Sequence, residues 1–303
     1  MTVPDRSAIA TEAEHPRAAA LHQLDAGGWV ALMNEANREV LAAMDAAAPA
    51  LSGVIAAAAP GFVRGGRLVY IGAGTSGRLG VLDASEAPPT FCVGDDRIIG
   101  IIAGGDRCLR APSEGAEDDA AGAIPALRPL ALGADDCLLG IAAGGTTPYV
   151  RGALAWAAAL RPAPLTALLT CADVPAPAGC AHRLLLPTGP EVLTGSTRLK
   201  AGTATKLALN TISTALMALS GRVYDRYMVD VRAGNAKLVD RAARIIAALT
   251  GLARPAALDL LERAGGSAKV AVAMHRLGGD RTQAETRLAA AGGRLDRLDQ
   301  RPG

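Results

Sequence analysis

Aromatic side chains are nearly missing from this chain: two Trp, four Tyr and two Phe make up 3% of its 303 residues. Platforms for stacking nucleic-acid bases are therefore scarce. An excess of either charge is missing too. The formal net charge is +2, and the arginines are scattered among acids. That balance argues against a nucleic-acid surface or a polybasic membrane face. No CxxC pair occurs. The five cysteines, at 92, 108, 137, 171 and 180, are odd in number and mostly adjoin apolar runs, so they read as small core hydrophobes. The four histidines, at 15, 22, 182 and 275, show no metal-ligand spacing, which argues against a structural zinc site.

Long apolar runs are also lacking. No stretch reaches the roughly 18–20 apolar residues that span a bilayer. The Ala-rich stretch near 41–59 is interrupted by Asp45, Pro49 and Pro60 and reads as a soluble amphipathic helix. The opening, MTVPDRSAIATEAEHPR, lacks the apolar core of a signal peptide. A cytoplasmic protein without nucleic-acid or membrane partners is expected.

Half of the residues are hydrophobic, enough for a sizeable globular core. With so few aromatics, that core must be built from Ala, Val, Ile and Leu with closely packed backbones. Residues 1–15 read as a loose arm and 16–58 as helices, with breaks at Ala26-Gly27-Gly28 and near Pro49. From Arg67 the pattern changes to short apolar runs, most of them followed by small residues: Leu68–Ile71, Ile98–Ile102, Leu138–Ala143, Leu165–Leu169 and Leu184–Leu186. Helical stretches, for instance 114–127 and 147–160, lie between most of them. Such alternation predicts a parallel sheet with helices on both faces. Ligands bind such sheets at the carboxyl ends of the strands, near a switch in strand order. Residues 200–220 read as one long helix. The segment 241–303 reads as a small helical appendage, with helices near 255–264, 268–277 and 281–291.

Four constellations carry chemistry. In the first, Gly72-Ala-Gly74-Thr75-Ser76-Gly77-Arg78, glycines permit a tight turn, and a following helix N-terminus attracts an anion. It also matches the dinucleotide fingerprint GxGxxG. However, two hydroxyls occupy the turn, and the acids about 20 residues on, Asp95 and Asp96, precede the next strand instead of ending it. A sugar-phosphate loop fits better. The second, Asp83-Ala-Ser-Glu86-Ala-Pro88-Pro89, sets a carboxylate before prolines expected to end the helix. The third, Ser113-Glu114-Gly-Ala-Glu117-Asp118-Asp119, groups four acids. Most suit the first turn of a helix, and one is expected to reach the crevice. The fourth runs from Glu191 to Lys206 and gathers Ser196, Thr197, Lys200 and Lys206 ahead of and within the long helix. Its hydroxyls can cap that helix or bind an anion.

Together these blocks resemble the N-acetylmuramic acid 6-phosphate etherases. The matching text is YIGAGTSGRLGVLDASEAPPTF, IIAGG, EGAEDD, GIAAGGTTPYV, EVLTGSTRLKAGTATKLALN and MVDVRAGNAKL, over most of the chain from about 60 to 240. The resemblance implies a doubly wound, flavodoxin-like α/β sheet of the sugar isomerase (SIS) type. It implies a helical N-terminal arm (1–58), an SIS catalytic domain (59–240) and a small helical C-terminal domain (241–303). It implies a carbon–oxygen lyase of amino-sugar catabolism and cell-wall recycling, working without metal or nucleotide cofactor, as a homodimer. The family's two catalytic glutamates correspond to Glu86 and Glu117. Gly74, Thr75, Ser76, Gly77, Arg78, Thr146, Thr147, Ser196, Thr197, Lys200 and Lys206 are the expected substrate and phosphate contacts.

Two departures stand out. Many members read AASGRTPY where this chain has Ala142-Ala-Gly144-Gly-Thr146-Thr147-Pro-Tyr149, so Gly144 and Thr146 replace a Ser and an Arg; Thr146 or Thr147 is the candidate replacement. Near the N-terminus, Thr11-Glu12 fits the family's opening, but His15 stands near an expected Asn. A sugar-phosphate aldose–ketose isomerase and a non-catalytic sugar-phosphate sensor are the alternatives on the same fold. The presence of both glutamates, and of no DNA-binding segment, favours the etherase.

Overall fold

The computed structural model describes residues 9–112 and 115–298. Five parallel strands form the central sheet: β1 (Leu68–Gly72), β2 (Ile98–Ile102), β3 (Cys137–Ile141), β4 (Leu165–Thr170) and β5 (His182–Leu185). Their order is β2-β1-β3-β4-β5, the flavodoxin-like doubly wound arrangement. Leu68, Val69, Tyr70 and Ile71 are all 0% exposed. Successive strand residues face opposite sides, so β1 is covered on both.

Small residues let helices approach the sheet closely. On one face, α4 (Pro148–Ala158) packs over Val69, Leu138 and Leu168. A Cβ on Gly140 would lie 2.7 Å from Val150 Cγ1 there. On the other face, Gly80 of α2 (Gly74–Phe91) sits against Tyr70, where a Cβ would come within 2.9 Å of Tyr70 Cβ. This close packing is how an Ala- and Gly-rich core fills its space with few aromatics. All five cysteines are free. Burial pushes the Cys137 and Cys171 thiols up to about 12, as inert core residues require.

The helical N-terminal segment differs in detail from the sequence expectation. A single helix, α1 (Ala26–Val63), replaces the two pieces expected around Pro49. Ala26-Gly27-Gly28 is its start, because Asp25 caps it by accepting from the Gly28 N–H at 2.7 Å. Pro49 removes one ladder donor. The buried stripe Ala36, Val40, Ala43, Ala47, Leu51, Val54 and Ala58, at spacings of three and four, holds the helix together regardless. By length and composition α1 is also apolar enough to cross a membrane, contrary to the expectation from run length. Its hydropathy comes largely from alanine, and its buried stripe packs on β5 and, more lightly, on β3 and β4.

Three further expectations are corrected. Pro88 and Pro89 do not stop α2, which runs to Phe91 and ends at Cys92 with φ +51°. The expected helix over 114–127 is a run of turns; only α3 (Ile124–Leu127) is helical. Gly115, at φ +86°, adopts a conformation that helices do not use. Ser113 and Glu114 lie outside the described residues. The long helix α5 (Lys200–Met217) gives way to a wider π-type turn at Ala218–Arg222, where Gly221 has φ +82°.

A second compact unit gathers 87–94 with the chain from 214 onward. It contains the hairpin β6 (Val223–Tyr224) and β7 (Tyr227–Met228), followed by α6 (Ala236–Thr250), α7 (Arg254–Arg263), α8 (Ala268–Leu277) and α9 (Arg281–Ala290). Asn235, Ser267 and Asp280 cap α6, α8 and α9, the last as a reciprocal box with Gln283. Each cap is worth about 1 kcal/mol. Its core joins Ile245, Ile246, Leu260, Leu261 and Val272. Buried Lys269 donates to Asp230 Oδ2 at 2.7 Å and to the carbonyls of Gly221 and Gly293, so its charge is paired and its donors are used.

Candidate active site

The chain leaves β1 toward β2 and leaves β3 toward β4, in opposite directions. The crevice of a doubly wound sheet opens at this switch, outside the strand ends. The turn after β1 is tight. A Cβ on Gly72 would lie 2.7 Å from the Gly77 nitrogen, and one on Gly77 would lie 2.7 Å from the Gly72 oxygen. α2 therefore begins at once, at Gly74. Its first-turn N–H groups lack intrahelical acceptors and sit at the positive end of the helix dipole.

The turn after β3 is held from several sides. The Gly145 N–H donates to the Ala142 carbonyl at 2.8 Å. Arg151 Nη1 donates to the carbonyls of Gly145 and Pro175. Gly145 has φ +70°, and a Cβ there would fall 2.1 Å from Val174 Cγ2. Thr147 precedes α4 without capping it through its side chain.

These two turns enclose a cleft of about 220 Å³. Gly74, Thr75 and Ser76 line one side, Gly144, Thr146 and Thr147 the other, and Thr197 joins from the segment before α5. Glu117 lines it too. Its backbone carbonyl accepts from the Tyr149 N–H at 3.0 Å, which pins the turn at 115–118 to the start of α4. Ile9 and Glu12, from the N-terminal segment, complete the wall. No lysine or arginine occurs among the described lining residues.

A second cleft, of about 230 Å³, lies between α2 and α5. Leu79, Leu82, Asp83 and Glu86 form one face, and Lys206, Leu209 and Asn210 the other. Asp83 accepts from Tyr70 Oη at 2.9 Å and from Ser213 Oγ at 3.2 Å. Burial pushes the Asp83 carboxyl above its ordinary value, against the Tyr70 and Ser213 hydrogen bonds and the Lys206 charge. Burial, reinforced by the Asp83 charge, drives Tyr70 well above its usual range, so Tyr70 remains a hydrogen-bond donor.

The expected site residues thus fall into three groups. Gly74, Thr75, Ser76, Thr146, Thr147, Thr197 and Glu117 meet in the first cleft, and Glu86 and Lys206 meet in the second. Gly77, Arg78, Ser196 and Lys200 are not among the described lining residues of either. Gly77 shapes the turn. Arg78 donates to the carbonyls of Leu109 and Ala111. Lys200 is 1% exposed, and its Nζ lies 2.5 Å from Glu39 Oε2. Glu191, 0% exposed, caps α5 by accepting from the N–H groups of Lys200 and Ala201. Asp83 and Asn210 went unassigned from sequence. Their helical spacing from Glu86 and Lys206 is the sign that could have found them.

The fold and the crevice at its switch point define an SIS-type α/β domain. Residues 50–158 match the family model for the glucokinase regulatory protein N-terminal SIS domain. The chain is 50% identical to an N-acetylmuramic acid 6-phosphate etherase of Synechococcus sp. (strain CC9605), over 94% of this chain and 90% of that protein. It is 49% identical to the protein of the same name from Gloeobacter violaceus, over 97% and 95%, and 47% identical to the one from Deinococcus radiodurans, over 97% and 94%. The chain belongs to the N-acetylmuramic acid 6-phosphate etherase family. Among solved structures, a phosphoheptose isomerase from Francisella tularensis aligns with a TM-score of 0.41 at 20% identity, over 63% of this chain and 98% of its own.

Proposed function

We propose that this protein cleaves the D-lactyl ether of N-acetylmuramic acid 6-phosphate with water, releasing N-acetylglucosamine 6-phosphate and D-lactate. The observation that carries this reading is a single cleft lined by the start of α2, by the hydroxyl residues Thr75 and Ser76, and by the acid Glu117. The first two suit a phosphate handle; the third suits proton transfer beside it.

An ether oxygen at C3 leaves poorly. In the open-chain sugar, the aldehyde at C1 acidifies the C2 proton. Glu117 takes that proton while Glu86 protonates the departing lactyl oxygen, so the C3–O bond breaks and a C2–C3 double bond forms. Water then adds at C3, and a proton returns to C2. Each acid or base contribution is typically worth about 10²–10⁴-fold, and the pair must hold opposite protonation states.

A cytoplasmic homodimer belongs to this reading. Two observations support the dimer. Glu86 and Glu117 line different clefts of one chain. The first cleft also lacks a cation among its described lining residues, whereas the second offers Lys206 beside Glu86. In the dimer, Glu86 and Lys206 of one copy complete the cleft of the other.

The test is direct: incubate the purified protein with N-acetylmuramic acid 6-phosphate and measure D-lactate. Release that is lost in Glu86→Gln, with N-acetylglucosamine 6-phosphate still bound, supports the roles given. Near-normal turnover in that variant overturns them. Binding without any release by the wild type points instead to a sugar-phosphate sensor.

A further inference from the structure

Thr11 and Lys200 are buried and have no part in the reaction above. We propose that residues 9–17 form a strap closing the sugar-phosphate cleft, in which Thr11 and Glu12 bind the ligand and the Glu39–Lys200 pair anchors the strap. This deepens the reading of that cleft as a sugar-phosphate site and rests on it.

A short 3-10 turn, Ala10–Glu12, brings Ile9 and Glu12 to the cleft wall. Thr11 between them is 0% exposed, and its Oγ1 has no hydrogen-bond partner among the described residues. A hydroxyl in that state carries a desolvation penalty that a ligand acceptor relieves. Its direction is informative. A Cβ built on Gly144 would stand 3.8 Å from Thr11 Oγ1 and 3.9 Å from Thr146 Oγ1. Gly144 lines the cleft. Two hydroxyls from other residues thus flank the place where a side chain at 144 would project. Thr11 and Thr146 supply hydroxyls where Gly144 has no side chain.

Glu12 serves a different part of the ligand. A carboxylate only accepts hydrogen bonds, so it suits sugar hydroxyls and not a phosphate. Gly195 makes room for it, since a Cβ there would come within 3.1 Å of Glu12 Oε2. The far end of the strap is tied down. Arg17 pairs with Glu35 and Glu39, and His15 Nε2 lies 3.6 Å from Glu39 Oε1. Lys200, at the start of α5, holds the other oxygen of Glu39. This is a positioning role for a lysine that sequence reasoning placed on the phosphate.

The experiment measures binding of N-acetylglucosamine 6-phosphate and the KM for D-lactate release in Thr11→Val, Glu12→Gln and Thr11→Val/Gly144→Ser, with thermal unfolding of each. Thr11→Val and Glu12→Gln are expected to weaken binding about fivefold to tenfold, the loss of one hydrogen bond. Adding Gly144→Ser should restore the Thr11→Val loss, which a merely structural role of Thr11 would not allow. Wild-type affinity in both single variants overturns the strap alone. A wild-type protein that binds no sugar phosphate overturns the reading of the cleft, and the strap with it.

Discussion

Among the described lining residues, Glu86 and Glu117 fall in different clefts: the first with Lys206 between α2 and α5, the second with Thr75 and Ser76. Glu86 is ten residues beyond Ser76 along α2, which at the helical rise is roughly 15 Å.

Mixing inactive Glu86→Gln and Glu117→Gln proteins is therefore expected to restore activity. A random two-fold dimer mixture would regain about one quarter of wild-type D-lactate release, because half the dimers are mixed and each has one intact site. Complete inactivity of a mixture shown to exchange subunits would exclude a shared site.

Asp136 should govern acid sensitivity at the amino end of the sheet. It accepts from Arg67 Nε at 3.0 Å, from Arg67 Nη2 at 2.7 Å, and from the N–H groups of Arg67 and Gly133. Burial pushes its carboxyl up, but these partners outweigh burial and hold it below its ordinary value of 3.8. A lowered folded value means that the contribution is present above the unfolded value and fades as pH falls through the folded one. Asp136→Ala is expected to cost about 3 kcal/mol in urea unfolding near pH 7. It should also flatten the fall in wild-type stability below about pH 4.

Tyr70→Phe removes the donor at 2.9 Å from Asp83 and leaves that half-buried carboxyl with weaker partners. A loss of about 1–2 kcal/mol is expected in chemical denaturation. A midpoint equal to the wild type's would show that Ser213 and Asn210 satisfy Asp83 without it.

Gly145→Ala places a side chain at φ +70° and against Val174 and Thr170. Strain and overlap together should lower stability by about 2–4 kcal/mol. The second cleft turn would shift with it, so the KM for the sugar phosphate should rise even at temperatures where the variant is folded.

Much of the fold is legible in the residues. Leu68–Ile71, Ile98–Ile102 and the three later apolar runs become strands near their expected bounds, since buried parallel strands need continuous apolar runs. Local rules failed where packing opposes them. Pro49 sits inside α1 because its buried apolar stripe outweighs one missing donor. At 115–118 the opposite happens: acids that suit a helix start are held in turns by a glycine with positive φ and by the Tyr149 N–H.

The sequence by itself determined the strand–turn–helix grammar, the glycine turn at 72–77 and the residue types for acid–base chemistry and phosphate binding. Those depend on neighbours a few residues apart, through period, turn geometry and capping. Only the tertiary structure decided that β1 lies beside β3, which brings Thr75, Thr146, Thr197 and Glu117 into one cleft. It also decided that Lys200 answers Glu39, 161 residues away. A buried ammonium takes whichever carboxylate packing leaves beside it, and spacing along the chain carries no record of that choice.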